Sequence, residues 1–317
     1  MESSNLRARP QQVFDARGGG SRQHGGRSLF DRHFGALALA PALIVLATLS
    51  LPPTIGALAL AFRNDTLSGR HSRWVGLLNF RRMATDHRLL NALEVSLLWE
   101  VVTLLGTMAA AILLGILIFE RLRGRLREVV CLALILPILL PRVSVGLIWR
   151  FLYSPLMGIV NYPIELLHLR PIEFLSQPSV ALYAVAIVDI WQWGPFFAVI
   201  VYKLIETLPP GPLEAARLDN TTTWSLHWFI SLPMLRGALV TMFFIKGVES
   251  LRSFDLIYTM TNGGPGIATE TLDLYAYQAG IALNGRISYA AAMSVLLLIL
   301  SIGGFSFLWK RAQRWSA

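Results

Sequence analysis

An all-α membrane protein with six transmembrane helices is the fold class this sequence predicts, on three observations. Only 15% of the 317 residues are charged and 54% are hydrophobic, against roughly 25% charged in an ordinary soluble domain. The mean hydropathy is +0.54. The apolar residues gather in six runs, each near the ~20 residues that carry a helix across a bilayer. The net charge of +9 does not indicate nucleic acid, because the basic residues are dispersed between apolar runs rather than gathered on one domain. Membrane topology accounts for them. Cys131, the single cysteine, lies within an apolar run, so no intrachain disulfide forms, and no CxxC or His/Cys metal spacing appears. No soluble enzyme domain fits into the remainder.

Residues 1–33 are rich in Gly, Ser, Gln and Arg, with a Gly18-Gly19-Gly20 run, and are expected to form a disordered tail. The first apolar run begins too late, and is too long, for a cleaved signal peptide. The transmembrane domain is expected over residues 34–317. Its first span covers residues 34–62 and is broken by Pro52-Pro53. The second, 95–119, carries Glu100. The third, 129–153, carries Pro137, Pro141, Arg142 and Arg150. The fourth, 180–202, carries Asp189. The fifth, 238–260, carries Lys246, Glu249, Arg252 and Asp255, and the sixth covers 289–309.

Six spans put both termini on one side. Lys and Arg number sixteen on the side of the termini and eight on the other. That places both termini in the cytoplasm. The first outer loop, with six Arg, runs against this count and is long enough to fold into something that screens them.

The polar loop 206–236, between the fourth and fifth spans, is then cytoplasmic. Pro209 and Pro210 stop the preceding helix. Pro212 suits a helix N-terminus, and Glu214 in the first turn suits its dipole. Ala215 and Ala216 leave a smooth surface. Asn220 suits a left-handed stop. Thr221 or Thr222 caps a second short helix that carries Trp224 and Trp228 at i, i+4 and ends at Pro233. An ordinary helical hairpin between spans has the same local pattern.

The spacing decides between these. Glu214-Ala215-Ala216, three residues, Asn220, nine residues, then Ile230 and Leu232-Pro233 resembles the signature of the membrane subunits of binding-protein-dependent ABC importers, with Asn220 at a glycine position. Leu136-Pro137 to Pro141 with Leu147-Ile148-Trp149-Arg150, Gly158 and Asn161 resembles the third span and following outer loop of carbohydrate-importer permeases. The stretch from Asp189 to Phe196 resembles their fourth span. Ser253 to Tyr258, followed by Thr261-Asn262-Gly263-Gly264-Pro265, resembles their fifth. Four matches in order, over roughly residues 34–310, point to the half of the sugar subfamily that is similar to the larger maltose-importer permease.

The resemblance implies a type I ABC importer permease fold in the bacterial inner membrane. It also implies a second permease as heterodimer partner, two copies of a cytoplasmic ATPase that hold ATP and Mg, and an extracytoplasmic solute-binding protein. The chain has no phosphate-binding glycine loop and is not itself an ATPase. Glu214, Ala215, Ala216, Arg217, Asp219, Asn220, Leu232 and Pro233 belong to the implied coupling element, which docks into the ATPase.

Ionisable residues inside spans are costly and so are candidates for function. Asp189, Gln192, Trp193 and Phe196 share one helical face, as do Lys246, Ser250 and Ser253, and as do Arg142, Gly146 and Trp149. Aligned on the resemblance, Arg142, Asp189, Gln192, Trp193, Phe196, Lys246, Ser250 and Ser253 line a mid-membrane cavity. Two cations there suit an anionic sugar, such as a sulfonated sugar, uronic acid or phosphorylated polyol, with Trp193 and Phe196 stacking on its ring. The competing expectation pairs Arg142 with Asp189, and Lys246 with Glu249 or Asp255, as structural ion pairs. Arg252 is expected to pair with Glu249. Glu100 has no evident partner, and His33 and His227 are expected at the surface. The other function classes are a permease for a neutral oligosaccharide or polyol, an amino-acid ABC permease, an ion-coupled secondary transporter, which would want inverted repeats, and a membrane enzyme, for which no catalytic constellation is present.

Overall fold

The computed structural model describes residues 29–69, 72–219 and 221–316. Of the expected tail, residues 1–28 lie outside the described residues, and helix α1 (Leu29–Ala61) begins inside it. The chain divides into two compact units, Met1–Pro53 and Thr54–Ala317, described separately. The expected break at Pro52-Pro53 does not occur, because α1 is helical through both prolines. Each proline removes only one N–H, a loss that apolar helices tolerate.

The second unit is built around α3 (His87–Arg121) and α7 (Pro178–Glu206). Their contact depends on small residues. A methyl group on Gly115 would lie 2.8 Å from Val201 Cβ and 2.9 Å from the Ala198 carbonyl oxygen, and one on Gly194 would lie 3.1 Å from Ala110 Cβ. The contacts advance together along both helices, so α3 and α7 run parallel. Asp86 caps α3 through the backbone N–H groups of Arg88 and Leu89. Short helix α2 (Leu78–Met83) precedes it. Helix α14 (Ile287–Ser316) closes the chain.

Among the described residues, four helices are long and apolar enough to cross a membrane: Ala38–Ala61, His87–Arg121, Pro178–Glu206 and Ile287–Arg311. Counting each of two bent helix pairs as one span gives six. The first pair corrects the expected continuous third span. Helix α4 (Gly124–Leu139) and α5 (Arg142–Leu152) meet at 99°. Pro141 has no N–H to donate and holds Leu140 extended, at φ −77 and ψ 134, as a residue before proline prefers. Gln192 Nε2 donates to the freed Leu140 carbonyl at 2.9 Å. Short α6 (Tyr162–Leu166) follows.

The loop between α7 and the fifth span forms α8 (Pro210–Leu218), α9 (Thr223–Leu226), a π-helical turn (His227–Ser231) and α10 (Leu232–Met234). Helix α11 (Arg236–Ser250) then leaves at 79° to the Thr223–Met234 segment. The expected fifth span 238–260 therefore ends early. It breaks after Ser250 and resumes as α12 (Phe254–Met260). Trp99 Nε1 donates to the Ser250 carbonyl at 3.0 Å and so satisfies a helix end that would otherwise be buried unpaired. Helix α13 (Leu272–Tyr277) follows the turn at Asn262-Gly263, whose φ angles are +51 and +87.

Candidate functional site

Two sets of expected residues come together in different parts of the bundle. The first is the α8–α9 hairpin. Helix α8 starts at Pro210, whose missing N–H costs nothing at that position. This is earlier than the expected Pro212, so Glu214 sits in the second turn and not the first. Leu213 and Ala216 are buried with Leu226, against Leu208 and Ile230. Glu214, Ala215, Arg217, Leu218 and Asp219 are exposed. The helix is thus held by one face and free on the other. Asn220, the expected stop, lies outside the described residues. Of the two candidate caps, Thr222 accepts from Ser225 N at 3.2 Å, while Thr221 Oγ1 donates to the Ala216 carbonyl at 2.7 Å. Trp224 and Trp228 stack at 5.5 Å, as i, i+4 spacing predicts.

Pro233 does not end the second helix. The π-helical turn His227–Ser231 leads into α10, which contains Pro233, and the direction changes only at Leu235. Leu232 is buried and Pro233 exposed. The same turn corrects the expectation for His227, which is fully buried. Its Nε2 lies 2.9 Å from Glu120 Oε1 and its Nδ1 lies 3.0 Å from Ser231 Oγ. A carboxylate only accepts, so Nε2–H donates to Glu120. The same oxygen of Glu120 accepts from Arg217 Nη2 at 3.0 Å. Glu120 therefore ties the end of α3 to both helices of the hairpin. Sequence reasoning missed Glu120, since its only signal is a carboxylate at the end of a span. The side chain of His33 lies outside the described residues.

The second set is a polar knot in the bundle interior. Asp189 and Lys246 are both fully buried. Arg142 Nη2 donates to Asp189 Oδ1 at 2.6 Å, and Lys246 Nζ to Asp189 Oδ2 at 2.6 Å. Arg142 Nη1 also lies 3.4 Å from Glu249 Oε1. The expected Arg142–Asp189 pair is therefore present, but Lys246 pairs with neither Glu249 nor Asp255. The break after Ser250 moves Asp255 onto a separate helix, α12, where its side chain is exposed, whereas Lys246 points at α7. Arg252 lies 4.0 Å from Glu249, and its side chain is largely exposed. Lys246 Nζ also lies 5.3 Å from the centre of the Trp193 ring, a favourable cation–π distance.

Around this knot Ser250 Oγ donates to Glu100 Oε2 at 2.5 Å, so Glu100 does have a partner. Gln192 holds the α4–α5 break. Trp193 and Phe196 are half-buried and pack with Phe197. Ser253 does not join the knot. Beyond the α11 break, its hydroxyl lies 3.3 Å from Thr271 Oγ1 and 3.2 Å from Asp273 Oδ2. Gly146 packs on Thr259, and Trp149 meets Trp191 edge-on at 5.3 Å. Glu100 Oε1, Arg142 Nε, Gln192 Oε1 and Trp193 Nε1 are buried polar atoms without a hydrogen-bond partner among the described residues.

A helical bundle with two bent spans and an exposed, one-face-anchored hairpin has the architecture of an importer permease. Residues 103–314 match the model of the binding-protein-dependent transport system inner membrane component family, and the chain belongs to that family. The trehalose/maltose transport system permease protein MalF of Thermococcus litoralis is 26% identical over 86% of this chain and 94% of its own length. The sulfoquinovosyl glycerol transport system permease protein SmoG of Agrobacterium fabrum is 28% identical over 86% of this chain and 88% of its own. A bacterial ABC transporter involved in the import of the acidic polysaccharide alginate has the same fold, with a TM-score of 0.78 and 22% identity over 90% of this chain and 97% of its own. The expected type I ABC importer permease fold and the resemblance to carbohydrate-importer permeases are both met. The chain is an inner-membrane permease subunit that works with a solute-binding protein, and such subunits are not enzymes.

Proposed function

We propose that this permease imports a sugar or sugar derivative carrying a negative group, such as a sulfonated sugar, a uronic acid or a phosphorylated polyol. One observation carries the reading. Arg142 and Lys246 converge on the single carboxylate of Asp189, each at 2.6 Å. Two cations on one buried anion leave room for a second anion when the bundle opens, and a guanidinium fork matches carboxylate, sulfonate or phosphate oxygens. The cargo's anionic group would then take over from Asp189, with Trp193 and Phe196 beside its ring. The relative named for sulfoquinovosyl glycerol supports an anionic cargo.

A neutral oligosaccharide or polyol is the second reading. Asp189 and Glu249 already pair with these cations, as a purely structural network would, and one relative is named for trehalose and maltose. Uptake into proteoliposomes by the reconstituted transporter separates the two. Arg142→Gln is expected to weaken uptake of glucuronate at least about tenfold, the loss of one charge-assisted hydrogen bond. Uptake confined to uncharged sugars and unchanged in Arg142→Ala would contradict the reading.

In this proposal α8 docks into one of two cytoplasmic ATPase subunits that hold ATP and Mg, and a second permease completes the pathway as a heterodimer. Both termini are cytoplasmic. Closure of the ATPases on ATP moves α8, and Glu120 passes the motion to α3 while α7 and α11 carry it to Asp189 and Lys246.

A further inference from the structure

The arginine-rich first outer loop leads to a site at the opposite end of the bundle. A cavity of about 700 Å³ opens between α2, the start of α3, α13 and the start of α14, a volume suited to a small ligand. Three guanidinium groups line it, those of Arg82, Arg88 and Arg286, together with two carboxylates, those of Asp65 and Asp86. Most of these charges are already committed. Arg88 donates to Glu270 at 2.6 and 2.7 Å and to Gln278 at 2.6 Å. Asp86 Oδ2 accepts from the hydroxyls of Tyr275 and Tyr289 at 2.6 Å each, and its Oδ1 accepts from the backbone N–H groups of Arg88 and Leu89. Asp65 Oδ2 lies 3.5 Å from Arg63.

What is left uncommitted defines the ligand. Among the described residues, the guanidinium groups of Arg82 and Arg286 form no ion pair and donate no hydrogen bond, although they come from elements about two hundred positions apart. Asp65 Oδ1 is buried and without a partner. Two free cations ask for an anion, and one free carboxylate oxygen asks for a hydroxyl donor. The loops that carry them are stapled together. Asp65 N donates to Ser288 Oγ at 2.8 Å and Leu67 N donates to the Gly285 carbonyl at 2.9 Å. The cavity is therefore a held shape and not a gap between loose loops.

We propose that this cavity binds a small hydroxylated anion. Its carboxylate, sulfonate or phosphate lies between Arg82 and Arg286, and a hydroxyl donates to Asp65 Oδ1. The site rests on the reading of α8 as the cytoplasmic end. It lies at the start of α3, while Glu120 and α8 lie at its end, and a helix of 35 residues spans roughly 50 Å. It is thus extracytoplasmic, and the chemistry it selects is that proposed for the cargo. The headgroup of phosphatidylglycerol, a glycerol carrying a phosphodiester, presents the same chemistry.

Isothermal titration calorimetry of the complete transporter in phosphatidylcholine nanodiscs, with glucuronate as probe and glucose as control, tests the proposal. Glucuronate is expected to bind saturably and glucose not to bind. The double variant Arg82→Gln/Arg286→Gln is expected to weaken glucuronate at least about tenfold, while the lysine pair Arg82→Lys/Arg286→Lys keeps part of it. An unliganded melting temperature equal to that of the unaltered protein verifies that the double variant is folded. If lipid is the ligand, phosphatidylglycerol co-purifies in mixed nanodiscs, is lost in the double variant and competes with glucuronate, and the site stands with a different source. Absence of binding by either anion, or binding that the double variant leaves unchanged, overturns the proposal. Binding that Arg142→Gln abolishes and the double variant keeps also overturns it, but leaves the central cargo site intact.

Discussion

At the residue scale, Asp189 has the highest stakes in the molecule. It is fully buried and is the carboxylate that both Arg142 and Lys246 reach at 2.6 Å. Removing one partner from a buried network leaves an uncompensated charge, at a cost of about 3 to 5 kcal/mol. Asp189→Ala is therefore expected to destabilise by that order, read as a fall in melting temperature. The double variant Asp189→Leu/Lys246→Met is expected to recover part of the loss, because an apolar pair of similar size needs no partner. Asp86 allows a prediction about pH. Burial pushes its carboxyl up, but hydrogen bonds from Tyr275, Tyr289 and the backbone of Leu89 and Arg88 outweigh this and hold it below the ordinary 3.8. A lowered folded pKa gives stability that is present above the unfolded value and lost as pH falls through the folded one. The melting-temperature difference between the unaltered protein and Asp86→Asn is thus expected to stay constant from about pH 8 to 5 and to shrink only below about pH 4.

At the element scale, the hairpin is held by few groups, so small changes loosen it. Glu120→Gln weakens its bonds to Arg217 and His227 at once, and is expected to raise protease sensitivity within residues 206–236 while leaving the α3–α7 contact folded. Gly115 tests the other contact. Gly115→Leu forces a side chain against Val201 and the Ala198 carbonyl, and overpacking of this kind costs about 1 to 3 kcal/mol or more, measured as lost thermal stability of the purified protein. These elements also show what sequence can and cannot reveal. Length and apolar runs located the helices that can cross a membrane, and spacing narrowed the cap to Thr221 or Thr222 and set Trp224 beside Trp228. The breaks did not. A window of hydropathy reads straight across Leu140-Pro141 and across Leu251 to Ser253, because what makes those breaks tolerable is Gln192 and Trp99, supplied by other helices. The burial of His227 was equally hidden, since it depends on a π-helical turn and on a carboxylate more than one hundred residues away.

At the scale of the whole molecule, the two polar assemblies sit on a connected frame. Helix α3 carries Glu120 at one end and Trp99 and Glu100 further along, and the latter two hold Ser250 of α11. Helix α7 leads from α8 to Asp189. The resemblance read from sequence linked the hairpin to the interior through α7 and the fifth span. The structure adds α3 as a third link. It also places Ser253 outside the interior knot, which an ungapped alignment had no means to detect because the break after Ser250 changes the face that follows. The central claim is that α8 couples an ATPase to movement around Asp189 and Lys246. Its most direct test is paired measurement of ATP hydrolysis and solute uptake in proteoliposomes carrying Glu214→Lys. Glu214 is exposed on α8, so the subunit is expected to fold and insert as before while uptake per ATP hydrolysed falls at least about tenfold, the equivalent of roughly 1.4 kcal/mol of lost coupling. Unchanged uptake per ATP in that variant would contradict the account.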